Sequence, residues 1–330
     1  ATLPPCLEVL DVGNCSGITA AVSFAHLPAL KTVTCSRTAV ADTALATLPP
    51  CLEVLDVGNC SGISAAVSFA HLPALKNLYC YDTTVGNAAL ATLPPCLEEL
   101  HLDSCPGIMA TTSFAHLLAL KTLYCGGTRV DDAALATLPP CLEELYVGNC
   151  SGITAAASFA HLRALKIVYC SETGMGDAAL ATLPPCVQEL SVDSCTGITA
   201  AVSFAHLPAL KSVSCREAGV GDAALASLPP FVQELAVYNC SGITAATSFA
   251  HLHALKILYC GSTAGGDAAL APRPAGWETL IMDSCGGVTA ATTLAHLSAL
   301  QSLYCEQVTL APATIAALKG RGVSVVDMPW

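Results

Sequence analysis

The chain has 330 residues, 13 basic against 25 acidic side chains, a net charge of −12, 53% hydrophobic residues and only 12% charged ones. That balance, with no basic run and no phosphate-cradling glycine loop, argues against nucleic acid as a partner. The longest uncharged runs, such as Val12 to Leu30, hold Asn14, Ser16, Gly17, His26 and Pro28, so they read as coil interior rather than a membrane span.

Taken in order, the chain repeats itself. Units of about 45 residues begin at Ala1, Ala46, Ala91, Ala136, Ala181, Ala226 and, with divergence, Ala271. Each holds two coils. The first runs through Leu7, Leu10, Val12, Cys15 and Ile18, the second through Leu30, Val33, Cys35, Thr38 and Val40, before Leu52 restarts the pattern. The stretches Cys96 to Cys105 and Leu120 to Cys125 show the strand signal most clearly: Leu-x-x-Leu-x-apolar, with alternate side chains turned inward.

Steps of 23 and 22 residues, with leucines in this pattern, resemble the leucine-rich-repeat family over essentially the full length. The Cys-Ser-Gly-Ile-Thr segments at Cys15, Cys150 and Cys240 resemble its cysteine-containing subtype, particularly the repeat proteins of kinetoplastid protists. Cys or Thr stands where many members carry an asparagine ladder, and Ala218 and Val308 break the Thr series. The resemblance implies an α/β solenoid of about fourteen coils, with a parallel β-sheet on a concave face and short helices or turns on a convex one. We therefore expect one elongated solenoid over residues 1–330: regular double repeats over 1–270, a divergent repeat over 271–310 and a C-terminal cap over 311–330.

Between strands, Thr19 to Leu27 and its equivalents have room for one or two turns, stopped by Pro28, Pro73 or Pro208. Asp42, Asn87, Asp132, Asp177, Asp222 and Asp267 precede Ala-Leu-Ala runs and read as helix N-caps. Leu48-Pro49-Pro50 then ends each turn. At the C-terminal end, Pro312 to Leu318 reads as a helix, Lys319 to Gly322 as a turn and Val323 to Asp327 as a last strand. The sequence opens mid-pattern without a polar cap, an initiating Met or a signal peptide. Further repeats or another chain are expected over its first edge.

The 19 cysteines fall in three columns, Cys6 to Cys186, Cys15 to Cys285 and Cys35 to Cys305. Column mates two coils apart are about 10 Å apart, beyond disulfide reach, so reduced, buried thiols packing as small apolar residues are expected. This favours an intracellular compartment. The sequons at Asn14, Asn59, Asn149 and Asn239 keep a secreted or surface location as the alternative. Seven histidines, from His26 to His296, form another column, too widely spaced to share a metal ion and placed to bond the backbone. Glu8, Lys31, Glu53, Lys76, Glu98, Lys121, Glu143 and Lys166 alternate at strand spacing as a ladder of opposite charge.

What remains is the outward strand face. All eight tyrosines fall at its positions: Tyr79, Tyr124, Tyr169, Tyr259 and Tyr304 in one column, Tyr81, Tyr146 and Tyr238 in others, none in a turn or in the core. Glu99, Glu144, Glu189 and Glu234 share the face, beside Asp103, Asp193 and Asp283, and His101 lies among them. Exposed rigid rings beside carboxylates suit a protein partner of basic or mixed charge. Polar residues repeated sevenfold make no unique catalytic constellation, so no enzyme activity, cofactor or metal is expected. The expected function is a non-enzymatic protein–protein interaction scaffold. The alternatives are a secreted or surface-displayed antigen or adhesin, and the substrate-recognition arm of a larger ubiquitin-ligase-type enzyme, which the cysteine-containing subtype implies.

Overall fold

The structure, a computed structural model, describes residues 3–267, 269–270, 276–289 and 294–327. The start of the divergent repeat at Ala271 and the last residues of the expected cap lie outside them. Contacts divide the chain into two compact units, Ala1–Ile153 with Ala157–Leu165, and Thr154–Ala156 with Lys166–Trp330. Each is a parallel β-solenoid, and the two hold about fourteen coils.

The first unit carries strands β1 (Val9–Asp11), β2 (Thr32–Thr34), β3 (Val54–Asp56), β4 (Asn77–Tyr79), β5 (Glu99–His101), β6 (Thr122–Tyr124) and β7 (Glu144–Tyr146). Helices α1 (Asp42–Leu45), α2 (Asn87–Leu90) and α3 (Asp132–Leu135) lie between them. The second carries β8 (Ile167–Tyr169), β9 (Glu189–Ser191), β10 (Ser212–Ser214), β11 (Glu234–Ala236), β12 (Ile257–Tyr259), β13 (Thr279–Ile281), β14 (Ser302–Tyr304) and β15 (Ser324–Val326). Its described helices are α4 (Asp177–Leu180), α5 (Asp222–Ala226) and α6 (Pro312–Gly320). The last of these covers the predicted terminal helix and two residues of the predicted turn.

Every strand has three residues, and in almost every one only the middle side chain is fully buried, as side-chain alternation requires. Leu10 aligns with Val33 and Val33 with Leu55; in the second unit Val168 aligns with Leu190 and Leu190 with Val213. One coil shows how the rest is filled: Leu97, Leu100, Leu102, Cys105, Ile108, Phe114, Leu117 and Leu120 are all fully buried. Such a Leu or Phe contributes roughly 1.5–3 kcal/mol, and both neighbouring coils supply the contacts.

Two backbone devices close each coil. A residue just after each strand adopts positive φ, near +55° at Arg37, Asn59 and Glu172, and its N–H donates to the next coil, as Asn14 N does to Ser36 O at 2.9 Å and Arg37 N to Gly58 O at 2.8 Å. On the far side, isolated parallel bridges join Ala41 to Gly62, Gly86 to Gly107, and Asp131 to Gly152. A Cβ at Gly152 would lie 2.7 Å from the Val130 carbonyl oxygen, so the backbones approach more closely than any other residue permits.

Three expectations need correction. Asp42, Asn87, Asp132, Asp177 and Asp222, named as N-caps, occupy the first helical position instead; the cap residues are Ala41, Gly86, Asp131, Gly176 and Gly221. Their side chains reach across to the next coil: Asp177 Oδ1 accepts from Thr199 N at 2.9 Å and Asp222 Oδ1 from Thr244 N at 2.9 Å, because a hydroxyl residue stands 22 positions on. Only Asp131, a neighbour of the predicted residue, caps with its side chain, accepting from Ala134 N at 2.9 Å.

The cysteine columns also differ. Cys35 to Cys305 and Cys60 to Cys285 are buried, but Cys6, Cys15 and Cys51 are exposed and Cys96, Cys141 and Cys186 half-buried. The first column lies at the Leu-Pro-Pro edge, where Cys51 Sγ faces the Pro28 and Leu30 carbonyls at 3.3 Å. The buried thiols are hydrogen-bonded and not merely apolar fill: Thr38 Oγ1 donates to Cys35 O at 2.6 Å and Cys60 Sγ donates to the same oxygen at 3.1 Å. Burial pushes the thiols of Cys150 and Cys195 up, and that of Cys240 up to about 11, so they stay protonated at neutral pH.

Tyr81 and Tyr238 lie in the turn after a strand, contrary to the expectation that no tyrosine would. Tyr81 lies over Gly58, where a Cβ would be 2.3 Å from its ring. The other six tyrosines end strands, and none of the eight is buried.

Candidate binding face

The third residue of each strand points away from the core, and parallel register brings these residues into one row within each unit. In the first unit the row ends Tyr79, His101, Tyr124, Tyr146 on β4 to β7. Tyr146 and His101 therefore join the same row as Tyr79 and Tyr124, because first and second coils share a register that the 45-residue period alone kept apart. Ring centroids are 4.6 Å apart for Tyr79 and His101, 4.0 Å for His101 and Tyr124, and 3.9 Å for Tyr124 and Tyr146. The planes go from a 44° tilt to a near-parallel 5°. Strand spacing of about 4.8 Å puts consecutive rings in stacking contact.

Carboxylates on the first residue of alternate strands hold the stack. Glu99 accepts from His101 Nε2 at 2.8 Å and from Asn77 Nδ2 at 2.6 Å; Glu144 accepts from Tyr146 Oη at 3.3 Å. Burial pushes the Glu99 carboxyl up, but the donors on His101, Asn77 and Tyr79 outweigh it and hold the group below its ordinary value. Burial pushes the phenols of Tyr79 and Tyr146 up, so both remain neutral donors. Asp103, on the turn after β5, is raised by burial and accepts from Gly126 N at 2.7 Å.

The charge ladder beside this row forms as ion pairs. Lys31 pairs with Glu8 at 2.8 Å, Lys76 with Glu53 at 2.7 Å and Lys121 with Glu98 at 2.6 Å; in the second unit Lys256 lies 3.5 Å from Glu278. These pairs are solvent-exposed, so each contributes little to stability.

In the second unit the row reads Tyr169, Ser191, Ser214, Ala236, Tyr259, Ile281, Tyr304. Tyr169 Oη donates to Glu189 Oε2 at 3.2 Å, and Tyr304 and Tyr238 are each 39% exposed. Three small residues interrupt the aromatic row and leave an open basin of about 330 Å³, lined by Glu189, Asp193, Ser212, Arg216 and Glu234 among others. Arg216 stacks over Tyr259 with its guanidinium carbon 5.4 Å from the ring centroid. Asn77 and Arg216 were missed because neither recurs in the other repeats; a break in the repeat pattern was the available signal.

Among the described residues no three His, Cys, Asp or Glu side chains converge as a metal site, and no helix is long and apolar enough to cross a membrane. The histidine column bonds backbone as expected at His71, His116 and His206, whose Nε2 lies 3.0–3.1 Å from Leu45, Leu90 and Leu180 carbonyls. At His161 the buried Nε2 has no partner.

No family model matches the sequence, and no curated protein does. Solved structures do match. An internalin (InlF) from Listeria monocytogenes superposes with a TM-score of 0.69 at 17% identity, over 98% of this chain and 87% of its own. The functional domain of InlJ from Listeria monocytogenes, which includes a cysteine ladder, gives 0.66 at 16% identity, over 92% and 68%. YopM, a leucine-rich effector protein from Yersinia pestis, gives 0.58 at 20% identity, over 78% and 67%. The chain thus has the leucine-rich-repeat solenoid fold.

Proposed function

We propose, with the leucine-rich-repeat fold as premise, that the chain is a non-enzymatic scaffold whose strand face binds a protein partner of basic or mixed charge. The stack of Tyr79, His101, Tyr124 and Tyr146 carries this reading. Four stacked rings give a rigid, half-exposed surface that loses little conformational entropy on binding, and Glu99 and Glu144 add negative charge beside them. The acidic excess of the whole chain favours approach of a cationic surface.

The test is the double variant Tyr124→Ala, Tyr146→Ala, compared with wild type in capture from native extract. Capture of the partner should fall at least ~10-fold, while the thermal midpoint drops by only a few degrees, since a ring pair contributes about 0.5–1.5 kcal/mol. A collapse in stability with unchanged capture would show that the rings only hold the coils together.

We favour an intracellular location, on the strength of the buried, unbridged thiols. A second reading, a surface-displayed antigen or adhesin, draws support from Asn14, Asn59, Asn149 and Asn239, all of which are exposed in Asn-Cys-Ser sequons. Mass spectrometry of the native protein separates the two: glycan on these asparagines favours the second, an unmodified mass the first.

A further inference from the structure

The row of third strand residues is not uniform between the units: the first carries Asp11, Thr34 and Asp56 before its rings, and the second opens a gap among its own. Where β4 to β7 of the first unit carry four stacked rings, the second unit places Ser191, Ser214 and Ala236 on three successive strands between Tyr169 and Tyr259. We propose that this basin is a subsite for an arginine side chain presented by the partner protein. The proposal deepens the protein-binding reading above and rests on it.

Four observations carry it. The space, about 330 Å³, exceeds what one guanidinium and its stem need, so a side chain can enter with part of its backbone. Glu189, Asp193 and Glu234 line it against the single cation Arg216, which leaves the basin negative. Asp193 is already engaged, accepting from Ser214 Oγ at 2.6 Å and from Arg216 N at 2.7 Å, and Glu189 accepts from Tyr169 Oη. Glu234 differs: among the described residues it is the half-buried carboxylate of its column with no hydrogen bond or ion pair, whereas Glu99, Glu144 and Glu189 are each bonded to a neighbour. A bound cation would supply the partner that this carboxylate lacks.

The choice of arginine over lysine follows from geometry. Glu189 and Glu234 stand on β9 and β11, two strand spacings or about 10 Å apart at Cα, with the short Ser212 between them. A planar guanidinium offers N–H groups on opposite edges and can meet a carboxylate on each side; an ammonium's three donors share one nitrogen and span a shorter gap. The face already accepts such a group: Arg216 lies on Tyr259 at 5.4 Å. Arg216 would form one rim, with its charge drawn to Tyr259 and away from the centre.

The test uses the full chain with labelled hexa-arginine and hexa-lysine peptides, read by fluorescence anisotropy at 150 mM salt. Hexa-arginine should bind several-fold more tightly than hexa-lysine. Glu234→Gln should weaken hexa-arginine about 10-fold, and Ser214→Tyr, which fills the basin with the ring found elsewhere in the row, at least as much. Glu8→Gln, an exposed carboxylate of the first unit's charge ladder and outside both the ring row and the basin, should change it less than 2-fold. Equal binding of the two peptides, or unchanged binding by both basin variants, overturns the proposal, as does an equal loss with Glu8→Gln, which would mean only diffuse attraction to an acidic protein. Capture of the native partner keeps the two readings apart. If Ser214→Tyr leaves capture intact while Tyr124→Ala with Tyr146→Ala abolishes it, the basin fails and the scaffold stands. If neither variant affects capture, both fail.

Discussion

The carboxylate that opens the short helix α5 faces in two directions. Asp222 is an acidic group in the first turn, where the helix dipole favours it, yet its oxygens are taken by Thr244 N, Thr244 Oγ1 and Thr247 Oγ1 of the next coil. Partial burial works against its charge, and the two threonines outweigh it, so the folded carboxyl titrates below its ordinary value. A depressed folded value means the bonds stabilise the fold in full above the unfolded aspartate range, near pH 4, and lose that effect as pH falls through the folded value. Asp222→Ala should therefore cost about 1 kcal/mol at pH 7, measured by urea unfolding. The gap between variant and wild type should narrow as pH falls below the unfolded aspartate range. Sequence reasoning saw an acid before an Ala-Leu run and inferred a cap; the threonine 22 residues on was visible, but nothing local said that it would lie within bonding distance.

At the scale of the element, the strands were legible and the corners were not. The Leu-x-x-Leu spacing located strands such as β5 and β6, because alternation is a property of the chain itself. The glycine of Cys-Ser-Gly-Ile carries no local signal of its role. Its reason is an approach between coils: a Cβ at Gly152 would meet the Val130 carbonyl and the Asp131 side chain, and the same column recurs at Gly62, Gly107, Gly197 and Gly242. Since the obstacle is backbone, Gly152→Ala should destabilise by roughly 1–3 kcal/mol, read as a lower thermal midpoint, whereas Gly17→Ala, with nothing within 4 Å, should be near neutral. The candidate site was legible in part for a related reason. The tyrosines were rightly placed outside the core, but aligning repeats at 45 residues hid that Tyr124 and Tyr146 are direct neighbours.

For the whole molecule, charge sets how a partner arrives more than how tightly it stays. With a net charge of −12 and exposed glutamates beside the rings, association with a basic partner should be steered electrostatically. Raising salt from 50 to 500 mM should slow the association rate by about 10-fold, with a smaller change in the dissociation rate, as stopped-flow mixing would measure. A partner held mainly by buried apolar surface would show neither effect.

The paired lysines and glutamates carry a consequence for how such a chain can grow. Lys31, Lys76 and Lys121 each reach back to a glutamate on the preceding coil, so a coil of one kind is bounded by coils of the other. Excising residues 76–97 alone would set Glu53 against Glu98, like charge on like, and would bring two first-type coils together. Excising residues 76–120 would set Glu53 beside Lys121 and leave every contact type as it was. Unequal crossing-over within such a gene is therefore tolerated in steps of two coils, and natural length variants should differ by multiples of about 45 codons.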